Sequence, residues 1–164
     1  MAQNTLIGFE NLEAVLNEYG EDVRKQYQAN LTEHNRIASG ELYNCFFNVS
    51  LNGRTYEVAL DLKEYWKYVE YGRKPGKFPP TNKILEWITI KPVIPRPDAS
   101  GRIPTPKQLA FLIGRKIANE GYEGSNDLTD ANDDIFKRYE PKIVAALAKD
   151  LGSYMQRILI AKGV

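Results

Sequence analysis

The sequence is poor in the residues that build redox, metal and nucleophilic sites. It has one cysteine, Cys45, so an internal disulfide and a cysteine-based metal cluster are excluded. It has one histidine, His34, which excludes a His-rich zinc site. Any His-based catalytic triad would depend on that one residue, with no obvious nucleophile next to it. Net charge is nearly absent: 22 Lys and Arg against 21 Asp and Glu leave +1. No global excess therefore argues for nucleic acid or an acidic membrane surface. No apolar run approaches the roughly 20 residues that span a bilayer. The first residues, Met1-Ala2-Gln3-Asn4-Thr5-Leu6, have neither the basic n-region nor the apolar h-region of a secretory signal. The expectation is a soluble protein made in a reducing cytoplasm, with no membrane partner.

What is present is an ordinary globular composition, 43% hydrophobic and 26% charged over 164 residues. That length supports one core without metal or disulfide help. A single domain over 1–164 is expected, its core in 9–91 and 105–160. Ten Tyr, six Phe and two Trp are a generous aromatic supply for a core or an interface.

Phe9, Leu12, Leu16, Tyr19, Val23, Tyr27 and Leu31 recur every three or four residues, which predicts an amphipathic helix from about 9 to about 33. Gly20 is a mild cost within it. Asn52-Gly53 is the preferred dipeptide of a two-residue type I′ hairpin turn. Folding the chain there pairs Leu51 with Arg54, Val49 with Tyr56, Phe47 with Val58, Cys45 with Leu60 and Tyr43 with Leu62. One face of the hairpin is apolar and the other polar, as expected of a hairpin packed on a helix. Cys45 falls on the apolar face and reads as a small core residue.

Beyond Leu62 the pattern becomes helical. A short helix is expected from about 63 to Gly72, which is a plausible stop. A Pro/Gly loop follows, then a helix capped by Thr81 with Ile84, Leu85, Trp87 and Ile88 on its apolar side, ended by Pro92. Residues 92–106 hold five prolines and read as a surface excursion. Pro106 starts another helix, with Leu109, Leu112, Ile113, Lys116 and Ile117 on one side and Gly121 and Gly124 ending it. The last helix carries Ile135, Tyr139, Ile143, Leu147, Leu151, Tyr154 and Ile158. Asp130 is its expected cap, Asp133 and Asp134 its first turn, and Pro141 either kinks it or marks its true start. The predicted class is α+β: an antiparallel β-sheet with a central hairpin, packed against a long N-terminal and a long C-terminal helix.

No enzyme motif is present. Gly72-Arg73-Lys74-Pro75-Gly76-Lys77 has a Gly-Lys end but neither the spacing nor the preceding strand of a phosphate-binding loop. The acids Asp127, Asp130, Asp133 and Asp134 lack the alternation, central Gly and terminal Glu of a calcium loop. No catalytic, metal or cofactor-binding residue is assigned, and no cofactor is expected. The informative stretch is 63–116, with 12 Lys or Arg against 4 Asp or Glu and Tyr65, Trp66, Tyr68, Tyr71 and Phe78 interleaved. Single-stranded nucleic-acid grooves use this chemistry, and so do protein interfaces. The first 34 residues carry an excess of −4, and 120–134 add −6. Separate acidic and basic surfaces suit head-to-tail contacts between copies, which close into rings.

Three features in order carry a family resemblance. A long N-terminal helix leads into Ala38-Ser39-Gly40-Glu41-Leu42, and a hairpin follows. Then comes Tyr68-Val69-Glu70-Tyr71-Gly72-Arg73-Lys74-Pro75-Gly76-Lys77-Phe78-Pro79-Pro80, with Ile84-Leu85-Glu86-Trp87-Ile88 behind it. This succession resembles the head–tail connector or tail-completion (neck) proteins of tailed bacteriophages: their Ser-Gly-x-Leu approach to the sheet, their Tyr-Val-Glu-x-Gly signature, their basic loop and their Trp-bearing helix. Leu109-Ala110-Phe111-Leu112-Ile113-Gly114-Arg115-Lys116-Ile117 is similar to a helix of the larger members. The chain departs from the family at Cys45 and Arg73, where Ser or Thr is frequent, and in its long proline-rich excursion.

The resemblance implies a structural virion protein rather than an enzyme. It implies a homo-oligomeric ring between portal or adaptor and tail-tube proteins, assembled after synthesis in the host bacterial cytoplasm. Genomic DNA passes through the lumen of such a neck, so a basic loop would also meet DNA. Tyr68, Tyr71, Arg73, Lys74, Lys77 and Phe78 are the expected interface residues. The alternatives are a small nucleic-acid-binding module using the basic aromatic segment 63–116 and, last, an enzyme using scattered carboxylates such as Asp61, Glu64 and Glu70.

Overall fold

The computed structural model describes residues 9–52, 55–97 and 99–162. Helices α1 (Glu10–Glu33), α2 (Trp66–Tyr71), α3 (Thr81–Ile90), α4 (Pro106–Glu120) and α5 (Asp127–Ala161) are joined by strands β1 (Phe46–Asn52), β2 (Thr55–Asp61), β3 (Gly72–Arg73) and β4 (Tyr122–Glu123). The class is α+β, with an antiparallel hairpin and long helices at the two ends of the chain that pack together. The chain groups into two compact units. The first holds Met1–Ala29, Cys45–Asp61 and Leu128–Val164; the second holds Asn30–Asn44 and Leu62–Asp127.

The first unit is built on period-matched apolar stripes. Val23 of α1 and Ile135 and Tyr139 of α5 form its buried centre, with Val15, Tyr19, Leu60, Leu128 and Ile143 packed around them. The four-residue steps Ala131, Ile135, Tyr139 put one face of α5 inward. Tyr139 keeps its polar end satisfied by donating to Asp22 Oδ2 at 2.8 Å, and burial followed by that bond pushes its pKa up to about 12. Gly20 has a packing reason in α1: a Cβ there would lie 2.4 Å from the Phe47 ring, so its absence lets the hairpin sit against the helix. Asp150, also buried, caps α1 from a distance in sequence. Its carboxylate accepts from the Leu12 N–H at 2.8 Å and from the Asn11 side chain at 2.5 Å. Burial is the largest single effect on Asp150 and raises its pKa, but the donors of Asn11 and Leu12 together hold the carboxyl below its ordinary value.

The hairpin register differs from the one expected by two residues. Leu51 pairs with Tyr56, Val49 with Val58 and Phe47 with Leu60. A two-residue slide preserves the faces, so Phe47, Val49, Tyr56, Val58 and Leu60 still share the half-buried side. Gly53, on which the expected turn rests, lies outside the described residues. Cys45 precedes β1 rather than lying in it. It is buried all the same, and burial pushes its thiol pKa up. Helix α5 begins at Asp127, so Asp130 lies in the first turn instead of capping it. Pro141 is interior to α5 and does not mark its start; lacking an N–H, it cannot donate to the Lys137 carbonyl.

The second unit is assembled from short pieces. Ile84 and Ile88 of α3 and Ala110 of α4 form its buried centre, with Leu85, Val93, Leu109, Ile113 and Ile117 around them. Gly114 brings α4 against the Phe78 ring, which a Cβ would meet at 2.6 Å. Three sequence expectations are corrected here. Thr81 is the first residue of α3, whose cap position is Pro80. Trp87 and Leu112 are exposed rather than inward, because the 84/88 and 110/114 rows face each other. Lys116 is exposed as well. Helix α4 starts at Pro106 as expected, and Thr105 and Gln108 complete a reciprocal capping box before it. Among the described residues, 92–105 form neither helix nor strand.

Candidate interaction surface

The resemblance-bearing stretch leaves α2 through Gly72, whose φ of 70° is open to glycine and strained for other residues. The chain then makes the two-residue strand β3, which pairs antiparallel with β4: Gly72 faces Glu123 and Arg73 faces Tyr122. A Cβ on Gly72 would lie 2.2 Å from the Tyr122 carbonyl oxygen, so the pairing needs glycine for space as well as for angle. Beyond β3 the loop is closed by its own side chain. Arg73 donates from its guanidinium to the Lys77 carbonyl at 2.6 Å, and the Gly76 N–H donates to the Ala118 carbonyl of α4 at 2.8 Å.

This frame sorts the six expected interface residues. Tyr68 and Tyr71 on α2 are 53% and 63% exposed, far more than tyrosines that serve a core. Lys74 and Lys77 are exposed on the loop. Arg73 is half-buried and occupied in closing the loop. Phe78 is exposed on one side and packed on the other: its ring lies against Gly114 and tilts onto Phe111 with centroids 5.6 Å apart. Tyr71 is steadied by Trp66, its ring centroid 5.8 Å away.

Pairing β3 with β4 adds residues that sequence reasoning missed. Tyr122 shares an electrostatic neighbourhood with Arg73, Tyr68 and Arg36. Burial raises the Tyr122 phenol, and the Arg73 and Arg36 cations oppose that rise. Arg73 pairs with Tyr122 across β3 and β4, and Tyr68 of α2 and Arg36 of the segment after α1 act electrostatically on the same phenol. Phe111 of α4, itself exposed, packs on Phe78. A two-residue strand carries no alternation to read, so no local signal marks Tyr122.

A polar cluster adjoins α2, to which Ser125 is tied by its N–H donating to the Val69 carbonyl at 3.0 Å. Asp127 is wholly buried. Its Oδ1 is 2.5 Å from Nδ1 of His34, its Oδ2 accepts from the Ser125 hydroxyl, and its carbonyl accepts from Asn30 Nδ2 at 2.8 Å. The hydrogen bond to Asp127, the largest cause, raises the His34 pKa above its ordinary value of 6.5. Ser125 bonds the carboxylate and not the imidazole, which is not the order that activates a hydroxyl nucleophile. The cluster gives the buried carboxyl group hydrogen-bond partners and ties residues 30–34 to the start of α5. Among the described residues, no three His, Cys, Asp or Glu are grouped to hold a metal ion, and no helix is long and apolar enough to cross a membrane.

Of the carboxylates considered for catalysis, Glu64 is exposed and Glu70 is buried within the second unit, while Asp61 ends β2 in the first. No known protein family, curated protein or solved structure matches the chain.

Proposed function

We propose that this chain is a structural protein of a tailed-phage virion, part of the neck, connector or tail-completion ring that joins the DNA-filled head to the tail. One observation carries the reading. The stretch 68–80, on which the resemblance rests, is braced by contacts of Gly72, Arg73 and Phe78 yet exposes Tyr68, Tyr71, Lys74 and Lys77 to solvent. A braced surface of tyrosine and lysine suits a protein contact, where ordering costs little because the side chains are already positioned.

The charge distribution is compatible with copies meeting head to tail. The second unit has 13 Lys or Arg against 9 Asp or Glu, and the first has 9 against 12. In the ring, the portal-side adaptor and the tail tube are the neighbours, and the same lysines would meet DNA if they face the lumen.

The test is electron microscopy of the purified chain at low and moderate salt, scored for closed rings of fixed copy number. Lys74→Glu with Lys77→Glu is the informative variant, because neither side chain supports the fold. Rings should be lost while circular dichroism is unchanged. A chain that stays monomeric at every salt and binds single-stranded DNA with a steep salt dependence would instead be the nucleic-acid module.

A further inference from the structure

From Tyr139 onward α5 has two apolar faces. One packs inward through Tyr139 and Ala146. The other is open: Val144 is 62% exposed, Leu147 37%, Leu151 44%, Met155 62% and Leu159 51%. At 100° per residue these side chains, with half-buried Ile158, fall on one side of the helix. The stripe has polar ends on the same line. Glu140 lies four residues before Val144, and Lys162 lies four residues after Ile158; both are exposed. The Lys162 N–H still donates to the Ile158 carbonyl, so the last turn keeps Lys162 on the helical path.

The spacing along this line is palindromic about Leu151. The steps from Glu140 through Val144, Leu147, Leu151, Met155 and Ile158 to Lys162 are 4, 3, 4, 4, 3 and 4. Laid antiparallel on a second copy, Leu151 meets Leu151, Leu147 meets Met155 and Val144 meets Ile158. Glu140 then meets Lys162 at both ends. A parallel pairing in register would place Glu140 on Glu140 and Lys162 on Lys162, which repel.

We propose that this face of α5 is a self-association surface on which two copies of the chain pair antiparallel about Leu151. An isologous contact of this kind is self-complementary by symmetry, and both the apolar line and its charged ends have that symmetry. The stripe from Val144 to Leu159 runs about 24 Å along the helix. A single helix face of this length makes a small interface, so the association is sought across the micromolar range. The inference goes beyond the neck reading and does not depend on it.

Sedimentation velocity of the full chain across the micromolar range should show a concentration-dependent dimer. Leu151→Glu should weaken it at least about 30-fold and leave circular dichroism unchanged, since Leu151 is not core. Glu140→Lys or Lys162→Glu alone should weaken the dimer, and the two together should restore it. Under mild oxidation Leu151→Cys should link two copies, whereas Val144→Cys should not. A monomer at all concentrations would overturn the proposal. So would a dimer indifferent to Leu151→Glu, linking through Val144→Cys, which signals parallel pairing, or a monomer that uses this face only on anionic vesicles.

Discussion

The two compact units of this chain are stabilised by different means. The first buries long helical stripes, and its key polar groups, Asp150 and Tyr139, serve helix ends and neighbours far apart in sequence. The second has short helices and two-residue strands, and it relies on close backbone approach, Gly72 against Tyr122, and on one buried side-chain cluster, Asp127 held by His34 and Ser125. Long stripes bury the inward faces of α1 and α5 by period, while the outer stripe of α5 from Val144 to Leu159 stays open. A unit assembled from short pieces leaves aromatic rings outside as well: Tyr68, Tyr71, Trp87 and Phe111 stand exposed. The arrangement that costs the second unit apolar burial is the one that supplies its surface.

The largest effect that would sharpen this contrast is expected at Gly72. Gly72→Ala places a Cβ 2.2 Å from a backbone carbonyl at positive φ. Strain and steric shift together should cost about 3 kcal/mol or more. Urea denaturation would measure it, and a loss under about 1 kcal/mol would mean that the β3–β4 clip does not hold the unit. Next is Asp150→Ala, which strips the cap from α1 and should cost about 2 kcal/mol in the same assay. A neutral result would leave the packed stripes alone responsible for the first unit.

The smallest effect separates the units by pH. The His34 pKa is raised in the fold, so its charged contact with Asp127 contributes fully below about pH 6.5 and is lost as pH rises through the folded value. Asp150, whose pKa is lowered, behaves oppositely: its contribution holds above about pH 3.8 and is lost on acidification through the lower folded value. Thermal midpoints should therefore fall modestly on the alkaline side, and His34→Gln should remove that slope. A slope that survives the substitution would assign it to another group.

Much of the first unit was legible because its information is periodic. The stripe through Leu12, Val23 and Tyr27 and the one through Ile135 and Tyr139 are visible at three- and four-residue spacing. The alternation from Phe47 to Leu51 identified the correct hairpin faces. It left the register two residues off, because sliding by two changes no face. In the second unit Gly72, Pro106 and Gly121 punctuated the chain correctly. The β3–β4 pairing was invisible, since two residues have no pattern and the partners are far apart in sequence. The Asp127 cluster was hidden for the same reason: a buried carboxylate and its histidine are joined only by the fold. Of the candidate surface, Tyr68, Tyr71, Lys74 and Lys77 are placed as exposed groups. Arg73 and Phe78 serve as braces, and Tyr122 and Arg36 had no local signal.

The burial of Cys45 has a practical consequence. It is the sole thiol of the chain and belongs to the first unit, whereas both indoles, Trp66 and Trp87, belong to the second. A thiol reagent can reach Cys45 only when the first unit opens, and a raised pKa slows the reaction further at neutral pH. Intrinsic indole emission follows the second unit alone. The native chain thus carries two separate clocks, and comparing labelling rate with emission change would time the opening of each unit without a single introduced label.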